Sequence, residues 1–155
     1  MLPLLASLAL VASSTGALEL SELRLPAAFE HPELLEANEG GPWGQCRLRA
    51  YSVERPGRVF WRVVEVTPKG APKLSGFLGR WRAQHGCTAA MVKGLPTLVP
   101  GQLAFGGSCE GGDRYLTVVF AIRAHGYELH VDTLVFQVAD LAAEMRRLMS
   151  HIQIR

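Results

Sequence analysis

Hydrophobic and polar positions alternate along most of this chain, the period of a half-buried strand. In the run 45–53, QCRLRAYSV, Cys46, Leu48 and Ala50 fall on one face, and Arg47, Arg49 and Tyr51 on the other. ERPG turns the chain, and the run 58–66, RVFWRVVEV, follows. It places Val59, Trp61 and Val63 on one side and Phe60, Val64 and Val66 on the other. Both sides are mainly apolar, so both are expected to be covered. Three more strand-like runs, QLAFGGSC, RYLTVVFAIRA and YELHVDTLVF, are separated by EGGD and HG and predict an antiparallel meander. The middle run sets Leu116, Val118, Phe120 and Ile122 against Thr117, Val119 and Ala121. It too is apolar on both faces.

Two stretches change period. Leu74, Phe77, Leu78 and Trp81 stand at i, i+3, i+4 and i+7, an apolar stripe along a helix that Gly86 would stop. Gly76 and Gly79 weaken that helix and would permit close approach to the sheet. Near the end, Leu141, Met145, Leu148, Met149 and Ile152 draw a second stripe, with Asp140 in its first turn. The start of the domain, 18–44, reads as a short strand, a break at Pro26, one helical turn opened by Pro32 and Glu33, and an EGGPWG loop. The segment 88–101 is a short extended edge or crossing piece. A sheet apolar on both faces, with two amphipathic helices to cover it, predicts an α+β domain. Its antiparallel sheet of five or six strands lies in an α/β/α sandwich.

Composition narrows the class. The chain has 155 residues, 48% hydrophobic and 19% charged, which suits one domain at 18–155 with a real core. The formal net charge is +2, and the arginines at 47, 49, 58, 62, 80 and 82 are scattered. They are expected on solvated faces, and nucleic acid is not expected as a partner. Residues 1–17, MLPLLASLALVASSTGA, have the layout of a secretory signal peptide. The apolar run is too short to span a bilayer, and nothing later replaces it. The expected location is periplasmic or extracellular.

That compartment changes the reading of Cys46, Cys87 and Cys109. Three pairings are possible. Cys87 with Cys109 is favoured, because one ends a helix and the other ends a strand close by in sequence. Cys46 with Cys109 competes. No spacing resembles a zinc ligand set, and no metal or cofactor is expected.

Candidate chemistry is sparse. Gly107, Ser108, Cys109, Glu110 and Gly111 spell the cysteine form of a nucleophile elbow. That motif needs a helix after the turn, whereas a strand follows here, so no helix dipole would activate the thiol. Glu128, His130 and Asp132 share one face of a strand, where they could bind a ligand, bind a metal or move a proton. Trp43 is the aromatic candidate for an exposed contact. The other histidines read as surface or capping residues.

The exported start, the LPAAFE segment, one mid-chain helix and the closing YLTVVFAIRAHGYELHVDTLVFQVADLAAEMRRLMSHIQI resemble the Mog1/PsbP/DcrB-like group, over roughly 18–155. The resemblance implies an α/β/α sandwich and an assembly or binding factor without an established catalytic centre. The leading expectation is therefore a small exported binding or accessory domain that contacts a protein or a cell-envelope component. The alternative is a small hydrolase or transferase using Cys109 as nucleophile, His130 as base and Asp132 to orient it.

Overall fold

A computed structural model describes residues 18–25, 33–55, 59–134 and 138–155. The proposed signal peptide and Pro32 lie outside them. The elements are β1 (Leu18–Glu19), β2 (Leu23–Leu25), β3 (Glu33–Gly41), β4 (Gly44–Arg55), β5 (Val59–Pro68), α1 (Phe77–His85), β6 (Ala90–Met91), β7 (Leu103–Ser108), β8 (Arg114–Ile122), β9 (His125–Thr133), α2 (Val138–Met149) and β10 (Gln153–Ile154).

Seven strands form one antiparallel sheet in the order β3-β4-β5-β9-β8-β7-β6. β1, β2 and β10 make a separate small sheet. The expected α+β class and antiparallel sheet hold: six strands of six or more residues make the main sheet, and the two-residue β6 is added at one edge. Glu33 does not begin a helical turn; it begins β3, paired with β4 from Glu33↔Ser52 to Gly41↔Gly44. The EGGPWG segment is the tight end of that hairpin, with Pro42 and Trp43 as its two turn residues and Gly44 at φ 77°.

Alternation on β8 sorts the core into two layers. Leu116, Val118 and Phe120 pack with Val63, Leu129 and Val131 beneath Leu141, Met145 and Met149 of α2. Tyr115 and Val119 point the other way, with Val64, Val66 and Phe105 beneath Phe77 and Trp81 of α1. One helix on each face gives the α/β/α sandwich. Phe60, assigned to an apolar face, is 40% exposed because α1 does not reach that end of β5. α1 starts at Phe77, later than the stripe implied, with Gly76 as its left-handed N-cap and Gly86 as its C-cap. Gly79 faces open space, so close approach to the sheet does not explain it.

The expected turn at HG is displaced by two residues. β8 and β9 are joined at Arg123 and Ala124, and Gly126 lies inside β9. Its missing side chain serves a different purpose. A Cβ there would stand 2.4 Å from the ring of Trp43. Trp43 cannot retreat. Its indole N–H donates to Glu128 Oε2 at 2.7 Å, and its ring meets Phe77 edge-on at 4.8 Å.

The small sheet is tied to the large one by a buried carboxylate. Glu65 is 3% exposed and accepts from Ser21 Oγ and Arg49 Nη2 on Oε1, and from the Ser21 N–H and Tyr127 O–H on Oε2. Burial pushes its pKa up, but the hydrogen bonds from Arg49, Tyr127 and Ser21 outweigh burial and hold it below the ordinary 4.5. Burial and the bond to Glu65 push the Tyr127 phenol well up, so it stays a donor.

Two outcomes test this packing. Gly126→Ala should lower unfolding stability by ~1–3 kcal/mol in denaturant melts, since the added methyl overpacks a pinned ring. Glu65 has a depressed folded pKa, so its stabilisation is present at neutral pH and is lost as pH falls through that folded value. Glu65→Gln should cost ~2–4 kcal/mol at pH 7 and flatten the acid side of the stability–pH curve.

Candidate functional site

The sequence singled out Cys109, Glu128, His130 and Asp132, and these four residues line one pocket of about 170 Å³ between α1 and the sheet. β9 supplies Glu128, His130 and Asp132 from alternate positions. β8 contributes Tyr115, opposite Asp132, while Thr117, opposite His130, is fully buried beneath the pocket. Arg62 of β5 pairs across from His130 on the other side. α1 overhangs with Trp81 and His85, and the segment after it brings Cys87 against Cys109.

Cys87 and Cys109 form the disulfide, with Cα atoms 4.2 Å apart. Cys46 stays outside it and is buried at 7% exposure on the α1 face, as a small apolar residue would be. The favoured pairing therefore stands and the competing Cys46–Cys109 pairing does not. Cys109 lies in the turn between β7 and β8, where its N–H donates to Asp113 O and its carbonyl accepts from Gly112 N–H. Gly111 and Gly112 carry φ of 97° and 94°, which explains the glycines after the cysteine as turn residues. Gly107 has another cause: a Cβ there would meet the Thr88 carbonyl oxygen at 2.3 Å. Thr88 runs beside β7, its N–H donating to Ser108 O. A strand follows the turn, so no helix N-terminus stands behind Cys109.

His130 is held on both ring nitrogens. Nδ1 lies 2.7 Å from Thr117 Oγ1, and Nε2 lies 3.1 Å from Asp132 Oδ2. Its ring stacks on Tyr115 at 5.8 Å and 12°. Tyr115 stacks in turn on Trp81 at 4.9 Å, and Trp81 on His85 at 4.4 Å. The Tyr115 O–H donates to Thr88 O at 2.7 Å, and burial raises its pKa to about 12. The pocket is thus a stack of rings with carboxylates at its rim.

This geometry bears on the nucleophile reading. Cys109, His130 and Asp132 do line the same pocket. Yet the sulfur is bonded to Cys87, and both imidazole nitrogens already have partners. A base whose two nitrogens face Thr117 and Asp132 has none left to take a proton from sulfur. Among the described residues no three His, Cys, Asp or Glu side chains are grouped to hold one metal ion.

No protein-family model, curated protein or solved structure matches this chain.

Trp43 needs correction. Expected as an exposed contact, it is 8% exposed, folded over Gly126 as a lid on the α1-side core. Conversely, the sequence reading missed Arg62, Trp81, His85, Asp113 and Tyr115 as pocket residues. The signal that could have found Tyr115 was parity: it shares a face with Thr117 on β8. His85 was read as a helix-end surface residue and stands at the rim, stacked on Trp81. No helix among the described residues is long and apolar enough to cross a membrane.

The disulfide closes a separation of 22 residues, so the chain-entropy relation gives ~3 kcal/mol. The double substitution Cys87→Ser with Cys109→Ser should lose about this much in denaturant melts. Thiol counting on the native protein should label no cysteine, and on the denatured unreduced protein Cys46 alone.

Proposed function

We propose that this chain is a small exported binding or accessory domain, non-catalytic, whose pocket between α1 and the sheet receives a basic side chain of a protein partner. The observation that carries this reading is the pocket's composition. Asp113, Glu128 and Asp132 set three carboxyl groups against the one guanidinium of Arg62 around a floor of Trp81, Tyr115 and His130. A lysine or arginine entering there gains carboxylates at the rim and ring faces beneath. The dimensions suit one side chain rather than a large cofactor.

Three further points support it. The sulfur that would serve as nucleophile is bonded to another cysteine. A disulfide fits an oxidising compartment, in keeping with the signal-like residues 1–17. The α/β/α architecture fits the resemblance to Mog1/PsbP/DcrB-like assembly and binding factors, although fold alone carries no function.

Titration with N-acetyl-arginine amide and N-acetyl-lysine amide, followed by NMR, tests the pocket. Saturable shifts are expected at the Trp81 indole, His85 and His130, with a Kd on the ~mM scale for an isolated side chain. Asp113→Asn combined with Asp132→Asn should weaken binding about tenfold. Shifts that ignore both substitutions, or that never reach the pocket, would refute the reading.

A further inference from the structure

A second cavity opens where β4 begins and β5 ends, on the α2 side of the sheet, and shares no lining residue with the pocket under α1. It measures about 350 Å³ and is lined by Ser21, Arg47, Arg49, Glu65, Thr67 and His125. Arg47 and Arg49 alternate on β4 and so share one face. Arg47 pairs across from Thr67, and Arg49 from Glu65. From the sequence alone these arginines read as a solvated face. The tertiary structure gathers them with two hydroxyls and an imidazole, and the turn between β1 and β2 brings Ser21 to the wall.

The geometry points to an oxyanion site here, for a phosphate or carboxylate group of a small ligand. Among the described side chains Glu65 is the only carboxylate in the wall, and its two oxygens already receive four donors, from Ser21 twice, Arg49 and Tyr127. It is buried beneath the cavity and saturated, so it has no capacity left for the groups above it. Its role is to hold Arg49 in place by a 2.5 Å ion pair. Arg47 is exposed and donates to no acceptor among the described residues. A guanidinium carries five N–H donors in a planar fork that matches an oxyanion.

Thr67 and His125 add one more donor whichever tautomer is present. Thr67 Oγ1 lies 3.1 Å from His125 Nδ1. If the hydroxyl donates to Nδ1, then Nε2 carries the ring proton. If Nδ1–H donates to the oxygen, the hydroxyl hydrogen is left over. Among the described side chains the cavity therefore presents donors and positive charge beside one negative group that is already satisfied. An oxyanion supplies what is missing; a cation or an apolar ligand does not.

The test uses the full-length folded protein and two probes, inorganic phosphate and citrate, each titrated at constant ionic strength set with chloride and followed by NMR. Saturable shifts confined to the neighbourhood of Arg47, Thr67 and His125 are expected, with a Kd on the ~mM scale. A response to phosphate alone assigns a phosphate group, and a response to citrate alone a carboxylate. Arg47→Gln leaves the Glu65 cluster untouched and should weaken binding about tenfold with the amide spectrum otherwise unchanged. Arg146→Gln, on exposed α2 surface, should leave binding as it was. Failure of both probes to saturate overturns the site. So do shifts located elsewhere, or equal weakening by the two arginine substitutions, which marks general charge attraction.

Discussion

β5 and β8 carry apolar side chains on both faces, β9 between them adds Tyr127, Leu129 and Val131 to one of these, and a sheet of that kind has no face it can leave wholly in water. Val63, Leu129 and Val118 point one way, while Val64 and Val119 point the other, all of them buried. At about 25 cal/mol per Å² of apolar surface removed from water, leaving either layer open would cost more than a domain of this size has in reserve. Each helix answers one layer. α2 lays Leu141, Met145 and Met149 over the first, and α1 lays Phe77 and Trp81 over the second. The sandwich follows from this two-sided burial.

The two covers are unequal, and that inequality creates the sites. α1 is nine residues long and has only Phe77 and Trp81 buried. It leaves the ends of its face to other devices. Trp43 folds over Gly126 at one end, and the Cys87–Cys109 bridge fastens the chain beyond α1 at the other. The uncovered ground beside that bridge is the ring-floored pocket with His130 and Asp132. On the opposite face α2 packs on β8 and β9, and the end of β4 and β5 is reached instead by the β1–β2 turn through Glu65. The cavity with Arg47 forms where that turn and the sheet fail to close over one another.

The electrostatics of the two depressions differ in sign. The pocket under α1 sets carboxylates around stacked rings, while the cavity on the other face sets arginines over a carboxylate that is already saturated. They lie on opposite faces of one sheet, and both arise from alternation along single strands. A residue two positions along a strand shares the face, so β9 delivers Glu128, His130 and Asp132 together and β4 delivers Arg47 and Arg49 together. Glu65 shows the cost of a buried charge managed by hydrogen bonds. Four donors keep it ionised, and in return it joins the small sheet to the large one.

What the chain determined by itself was whatever depends on nearest neighbours in sequence. The period-2 runs marked β4, β5, β7, β8 and β9, the period-3.6 stripes marked α1 and α2, and two-sided apolar strands required a helix on each face. The shared face of Glu128, His130 and Asp132 was legible for the same reason. Tertiary structure decided the rest. Glu33–Gly41 became a strand because β4 offers it a full antiparallel partner, and a proline and a glutamate at a segment start cannot outweigh nine paired positions. Gly126 looked like turn punctuation and is a seat for Trp43, which local sequence cannot reveal because the ring arrives from 83 positions away. Phe60 and Asp132 were placed on the right face, but how far a short helix extends over that face is set by three-dimensional packing. Whether a given residue on a strand face is core, pocket or rim depends on where its cover ends, and that length is written in no single strand.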